Sequence, residues 1–274
     1  MTLQLFYIGA TGMDAFQKDM INITNNVSNA QTVGYKKSRV EFENLFPMIL
    51  DEVVTDDGND DFVYFDQPQN IMGNETLEIG SGVKVAAVTK DFTQGTLKVT
   101  NRDLDLAIKG NGFLQFRFED GSLAYSRAGN IQIDNEGNLV DVNGHLLDPP
   151  IKVPENTTNM TIAEDGRVLI RINEEVSEKE IGQITLAQFI NPSGLQSVGQ
   201  NLYRMTEASG GPSVEIPGKN AAGKIEQRAL EFSNVDIISE MMRMVITQRA
   251  FDIISKAVQS GETMLRSATD IARA

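Results

Sequence analysis

Apolar residues recur along this chain at two different intervals, and the change of interval divides it. Near the start, Phe6, Met13, Met20 and Val27 follow one another every seven residues, with Phe16, Ile23 and Ala30 at the second heptad position. That spacing predicts a helix carrying a coiled-coil seam rather than the broader stripe of an ordinary surface helix. Gly9 and Gly12 are its weak spot, each costing about 1 kcal/mol relative to alanine. Gly34, followed by Lys36, Lys37 and Arg39, reads as a C-terminal stop with cations at the negative end of the helix dipole.

Residues 233–272 predict a second helix, about 60 Å long at 1.5 Å per residue. Ser233 and Asp236 fit a capping box, and Phe232 and Ile237 sit where a hydrophobic staple closes. Ile237, Met241, Met244, Phe251, Val258 and Leu265 form one heptad stripe. Ile246, Ala250, Ile253, Ala257, Met264 and Ile271 form another on nearly the opposite side. A helix apolar on two opposed faces must be covered from both directions. The N-terminal helix covers one face. With no third long helix in the pattern, the other needs further protein.

Between these ends, residues 84–215 alternate in twos. Leu104, Leu106 and Ile108 share a face, as do Leu114, Phe116 and Phe118, then Ile131 and Ile133, then Val168, Ile170 and Ile172. Asp120-Gly121, Glu136-Gly137, Asn143-Gly144 and Asp165-Gly166 punctuate the runs, so the middle reads as antiparallel hairpins. There is no βαβ alternation, which argues against a Rossmann or TIM-type domain. The expected fold is α+β: terminal helices pairing as a coiled-coil-like layer (1–33 and 233–274) and a central antiparallel all-β domain (84–215). An extended connector (34–83) and an extended return (216–232) join them. The connector is long for its role and holds Phe62, Tyr64 and Phe65 among Asp51, Glu52, Asp56, Asp57, Asp60, Asp61 and Asp66. Aromatics beside charges are the composition of an interface rim.

Composition then shortens the menu of chemistry. With 38 acidic against 24 basic side chains the net charge is −14, which argues against a nucleic-acid surface. Zero cysteine removes disulfides, thiolate zinc sites and cysteine nucleophiles, and the single histidine, His145, leaves no two-histidine metal site. No cofactor or metal is expected, and no catalytic residues are assigned. No segment approaches the ~20 apolar residues of a membrane span. The first seven residues lack a basic n-region, so export without a cleaved secretory signal is expected.

Several motifs have a sharp and a plain reading, and the plain one is preferred each time. Gly110-Asn111-Gly112 lacks the third glycine and following helix of a dinucleotide fingerprint. Asp56-Asp57-Gly58-Asn59-Asp60-Asp61 lacks the ligand spacing and terminal Glu of an EF-hand loop. Met241, Met242 and Met244 suit packing better than a metal or a promiscuous groove. The Asn25-Asn26-Val27-Ser28-Asn29 run suits a hydrogen-bonded helix end.

Three blocks carry a resemblance. The first is Thr24-Asn25-Asn26-Val27-Ser28-Asn29-Ala30-Gln31-Thr32-Val33-Gly34-Tyr35-Lys36, with Arg39 and Phe42 following. The second runs from Phe92-Thr93-Gln94-Gly95 through Leu104-Asp105-Leu106-Ala107-Ile108 and Gly110-Asn111-Gly112-Phe113 to Tyr125-Ser126-Arg127-Ala128-Gly129 and Asn138-Leu139-Val140. The third is Leu230-Glu231, Ser233-Asn234-Val235-Asp236, Glu240-Met241 and Gln248-Arg249-Ala250-Phe251. In this order they resemble the bacterial flagellar rod and hook axial protein family, and within it most the distal-rod member.

The resemblance implies a hollow, self-assembling driveshaft in the basal body that spans the periplasm and passes torque from motor to hook. Implied partners are copies of itself in a helical homo-oligomer, proximal rod proteins, the hook protein, the outer-membrane and peptidoglycan bushing rings, and the flagellar type III export apparatus. Nucleic acid and integral membrane insertion are not implied. The residues expected at the assembly interface are the heptad positions Phe6, Met13, Phe16, Met20, Ile23 and Val27, and Phe62, Tyr64 and Phe65 of the connector. On the C-terminal helix they are Ile237, Met241, Met244, Ile246, Phe251, Ile253, Val258, Met264 and Leu265. A proximal rod or hook-type axial protein is the alternative within the family. An all-β polysaccharide or calcium-binding module with helical extensions, and a carboxylate hydrolase, are the alternatives outside it. Neither of the last two needs a terminal helix with two apolar faces.

Overall fold

The computed structural model describes residues 2–50, 77–172 and 178–273. Helices α1 (Thr2–Ser28) and α2 (Ile237–Arg273) bracket a run of short strands. The strands begin with β1 (Ser38–Asn44), β2 (Met48–Leu50), β3 (Leu77–Ile79), β4 (Val83–Lys90) and β5 (Leu97–Val99). Next come β6 (Leu106–Lys109), β7 (Leu114–Arg117), β8 (Leu123–Ser126), β9 (Gln132–Ile133), β10 (Leu139–Val140) and β11 (Leu146–Asp148). Then follow β12 (Thr157–Ile162), β13 (Arg167–Ile172), β14 (Lys179–Gln183), β15 (Leu186–Gln188) and β16 (Gln196–Gly199). The series ends with β17 (Leu202–Arg204), β18 (Ser213–Glu215), β19 (Lys224–Gln227) and β20 (Ala229–Glu231). The chain is α+β, with terminal helices and a central antiparallel β domain, as the two apolar periods predict.

It divides into two compact units, one of residues 1–20, 40–87 and 245–274, the other of residues 21–39 and 88–244. In the first, the two terminal helices pack in antiparallel sense. Leu5 meets Gly261, Gly9 meets Val258 and Gly12 meets Ile254, and the Thr247 hydroxyl donates to the Asp19 carboxylate at 3.2 Å. The β2 and β3 ladder sets Met48 opposite Ile79 and Leu50 opposite Leu77. Phe62, Tyr64 and Phe65 fall in the stretch between these two strands and lie outside the described residues.

In the second unit, a seven-stranded sheet has the order β16-β17-β8-β7-β11-β10-β9, beside a three-stranded sheet β12-β13-β14. Strand β6 pairs with β19, and β5 with β20. The alternation predicts the core well. Leu106, Ile108, Leu114, Phe116, Ile131, Val168 and Ile170 are buried in one cluster, with Leu104, Phe118 and Ile172 packed against it. Ile133 departs from its expected face and is exposed, because it sits on the edge strand β9. A second cluster stacks Phe113, Tyr125, Phe189 and Tyr203, with Phe113 edge-on to Phe189 at 5.8 Å and Tyr125 edge-on to Phe189 at 4.8 Å.

The element ends differ from the pattern reading in four places. Helix α1 stops at Ser28, because the Ser28 hydroxyl and the Asn29 amide donate to the carbonyls of Thr24 and Asn25 in its last turn. Gly34 is therefore not its stop. It has φ +71°, and a Cβ there would lie 2.5 Å from the Ala128 backbone nitrogen, so glycine serves a close chain approach. Helix α2 begins at Ile237, where Asp236 caps it by accepting from the Ile238 N–H at 3.1 Å and the Ser239 hydroxyl at 2.6 Å. Ser233 instead accepts from Val235 N–H in a local turn, which also removes the staple expected of Phe232 and Ile237. Finally, the expected extended return contains β19 and β20, and both pair into the β domain.

Candidate assembly interface

In the first unit the helix pair is built on small and polar residues. A Cβ at Gly9 would lie 2.4 Å from the Val258 Cγ2 methyl, and one at Gly261 would lie 2.6 Å from Leu5 Cδ2. Absent side chains at these points let the helix backbones approach closely, so the glycines expected to be a weak spot are contact points. Asp19 and Thr247, both buried, continue the row one heptad beyond Gly12 and Ile254.

The second unit contains a buried polar network drawn from all three blocks of the resemblance. Asn26, fully buried near the end of α1, accepts from Tyr35 hydroxyl at 3.0 Å and Ser38 N–H at 2.9 Å. Its amide donates to Ser38 carbonyl at 2.8 Å and to Glu240 of α2 at 3.3 Å. Ten residues on, the Lys36 ammonium donates to Glu231 Oε1 and to the Thr93 carbonyl, each at 2.6 Å. Gly95 N–H also donates to Oε1, and Arg127 donates to Glu231 Oε2 at 3.2 Å. Lys36 is thus a buried ion-pair partner and not a surface cation at the helix end. Burial holds its pKa below the ordinary lysine value, opposed by the charge of Glu231. Arg127 is lowered for the same reason and lies 5.3 Å from the Phe113 ring centre. One carboxylate between two cations in a dry site fixes the three chain segments that supply them.

The structure separates the predicted interface residues into three groups. Ile23 is fully buried, whereas Phe6, Met13, Phe16, Met20 and Val27 are half-buried. On α2, Met244, Phe251, Val258 and Leu265 are half-buried, while Ile237, Met241, Ile246, Ile253 and Met264 are exposed. At 100° per residue, Met242, Ile246, Ile253, Met264 and Ile271 fall within about 40° of arc, roughly 100° round the helix from Thr247, Ile254 and Gly261. All five are exposed large apolar side chains.

A search for apolar period alone overlooks Gly9, Gly12, Asp19, Asn26, Glu240, Thr247 and Gly261. For all but Gly9 the signal is the same seven-residue register, carried by small and polar residues at 12, 19 and 26 and again at 240, 247 and, two heptads on, 261. Lys36, Arg127 and Glu231 carry no such interval, and only the quoted motifs contain them.

Among the described residues, no group of three or more His, Asp or Glu could hold a metal, and His145 stacks edge-on against Phe118 at 4.5 Å. No helix among them is long and apolar enough to cross a membrane.

Comparison with known proteins agrees with the three-block reading. Residues 6–36 match the family described as flagella basal body rod protein. Residues 107–170 match the flagellar hook protein FlgE/F/G D1 domain, and residues 226–271 the flagellar basal body rod FlgEFG protein C-terminal family. The chain is 38% identical over 265 residues to the flagellar basal-body rod protein FlgG of Buchnera aphidicola subsp. Baizongia pistaciae, covering 95% of this chain and 96% of that one. It is 37% identical over 273 residues to FlgG of Borreliella burgdorferi, covering 99% of each. With FlgG of Bacillus subtilis the identity is 34% over 276 residues, covering 99% of this chain and all of that one. Similarity of this extent, falling on α1, the β domain and α2 alike, places the chain in the flagellar basal-body rod protein FlgG family.

Proposed function

We propose that this protein is a structural subunit of the flagellar distal rod, assembling with copies of itself into the shaft that carries torque from motor to hook. Family membership supplies the rod role. The observation that supports self-assembly is the outward stripe of α2, where Ile246, Ile253, Met264 and Ile271 stay exposed although the helix already packs on α1. An isolated subunit gains nothing from that stripe, whereas burial against neighbours is worth about 1.5–3 kcal/mol per large side chain. Helical stacking of identical subunits uses a different surface toward each neighbour, so α2 and the half-buried row of α1 are read as separate contacts.

The finer placement belongs to the same proposal. Proximal rod and hook proteins adjoin the assembly at its ends, the bushing rings surround it in the periplasm, and the flagellar export apparatus delivers it. Phe62, Tyr64 and Phe65 contribute to contacts between subunits, and no catalytic role is assigned. The test is complementation of a rod-deficient strain with the chain carrying an electron-dense label, followed by imaging of isolated basal bodies. Label along the rod between motor and hook is expected, and the double variant Ile246→Lys, Ile253→Lys should give no rods. Normal rods from that variant, or label elsewhere than the rod, would overturn the reading.

A further inference from the structure

Two methionines of α2, Met242 and Met264, face away from the positions that meet α1. Met242 and Met264 are 62% and 69% exposed and lie on the outward stripe, and Met241, next to Met242 in sequence, is exposed as well. Leucine or isoleucine would fill the same stripe without a reactive atom. A thioether does more than fill space, because an exposed sulfur is open to two-electron oxidants.

We propose that Met242 and Met264 are modification sites at which hydrogen peroxide controls whether a free subunit can join the assembly, a proposal that rests on the rod reading above. The sulfur lone pair takes one oxygen from the peroxide, the O–O bond breaks and water leaves. Sulfur is oxidised by two electrons as the peroxide is reduced. The product is a sulfoxide, a polar acceptor on a side chain that had been apolar.

The consequence differs between the two states of the subunit. In the free chain the sulfoxide stays in water and costs little, since both side chains are exposed. In the assembly it must be buried among Ile246, Ile253 and their neighbours' apolar groups without a donor. An unpartnered buried acceptor of this kind weakens association by about tenfold or more per site. The converse also holds. Covering the stripe shields the sulfurs, so assembled subunits oxidise at these positions more slowly than free ones. The β domain supplies an internal control in Met205, 54% exposed and far from α2 in sequence, and a protected one in Met160, buried in the core.

The test treats the purified full-length chain with graded hydrogen peroxide, locates added oxygen by peptide mass spectrometry and measures assembly by sedimentation and electron microscopy. Loss of assembly should track sulfoxide at Met242 and Met264 and not at Met205. Methionine sulfoxide reductases should restore it. The triple variant Met241→Leu, Met242→Leu, Met264→Leu should assemble after the same treatment although its Met205 is oxidised. Oxidised wild-type chain that assembles like the untreated one overturns the proposal, as does loss of assembly that tracks Met205. Should leucine itself impair assembly, the wild-type dose series and the slower oxidation of Met242 and Met264 in assembled material decide it. Untreated chain that never assembles overturns the rod reading, and the proposal with it.

Discussion

Replacing a helical glycine by alanine normally stabilises the helix by about 1 kcal/mol, and α1 offers two such positions with opposite expected outcomes. At Gly9 the new Cβ would sit 2.4 Å from Val258 Cγ2. Valine in a helix is held almost entirely in one rotamer, so that methyl cannot swing aside. The helices must separate instead, and overpacking of this kind costs about 1–3 kcal/mol. Against the propensity gain, the net effect of Gly9→Ala is a loss of about 1 kcal/mol. At Gly12 the nearest atom is Ile254 Cδ1 at 3.1 Å, the far end of a side chain that can rotate. There the propensity gain survives, and Gly12→Ala should stabilise by about 0.5–1 kcal/mol.

The assay is native-state hydrogen exchange of the α1 amides in the full chain, which reads local opening without requiring both units to unfold together. Gly9→Ala should lower protection about fivefold, and Gly12→Ala should raise it severalfold. Adding Val258→Ala to Gly9→Ala should recover part of the loss, giving a coupling of about 1 kcal/mol. If both alanines stabilise equally, α1 and α2 do not approach through Gly9 and the seam described above is wrong.

Three further outcomes follow from the geometry. Glu231→Ala strands Lys36 and Arg127 without their buried partner and should cost about 3–5 kcal/mol in denaturant unfolding of the β domain, whereas neutralising all three together, Lys36→Met and Arg127→Met with Glu231→Gln, should cost much less. Hydrogen bonds from Ser239 and Ile238 hold Asp236 below its usual 3.8, so the cap is fully present above that pH and is lost as pH falls through the lower folded value. Faster exchange of the first-turn amides of α2 below pH 3.8, abolished by Asp236→Asn, checks it. Changing Phe62, Tyr64 and Phe65 together to Ser should disturb rod straightness and motility more than removing charges in 51–66, since exposed ion pairs are worth only about 0–1 kcal/mol each. Straight, motile rods from the triple variant would remove these aromatics from the interface.

Alternation of period two made the β domain legible, because burial on one face leaves a regular trace in the residues. The turn glycines were legible for a related reason. Gly121, Gly137, Gly144 and Gly166 all have φ between +80° and +89°, a conformation glycine adopts at no steric cost. The start of α2 is harder to read, because Ser233 and Asp236 both suit a helix N-terminus. Asp236 takes the role because it accepts from two donors of the first turn and brings negative charge to the positive end of the helix. Strands β19 and β20 were hidden in what reads as a polar return, Lys224-Ile225-Glu226-Gln227-Arg228-Ala229-Leu230-Glu231. Arg228, at φ +60°, breaks the run in two, and Glu231 is buried only because Lys36 and Arg127 come from distant segments to meet it.

The helix seam carries a second signal beside its apolar one. An apolar heptad period picks out Phe6, Met13 and Met20, which are half-buried. Close contacts of the pair also fall on Gly9, Gly12 and Asp19 of α1 and on Thr247, Ile254, Val258 and Gly261 of α2, Val258 being itself a residue of the apolar stripe. A monomeric protein normally does the reverse, burying its large apolar residues within itself and leaving polar ones outside. Here small residues bring the backbones together, and a buried hydrogen bond between Asp19 and Thr247 favours one register, because a slip would leave its groups unpaired. The large side chains thus remain available on the outside, at Ile246, Ile253, Met264 and Ile271. That distribution suits a chain whose larger core forms between subunits. It also explains why the sequence contains more apolar helix surface than one helix pair can cover.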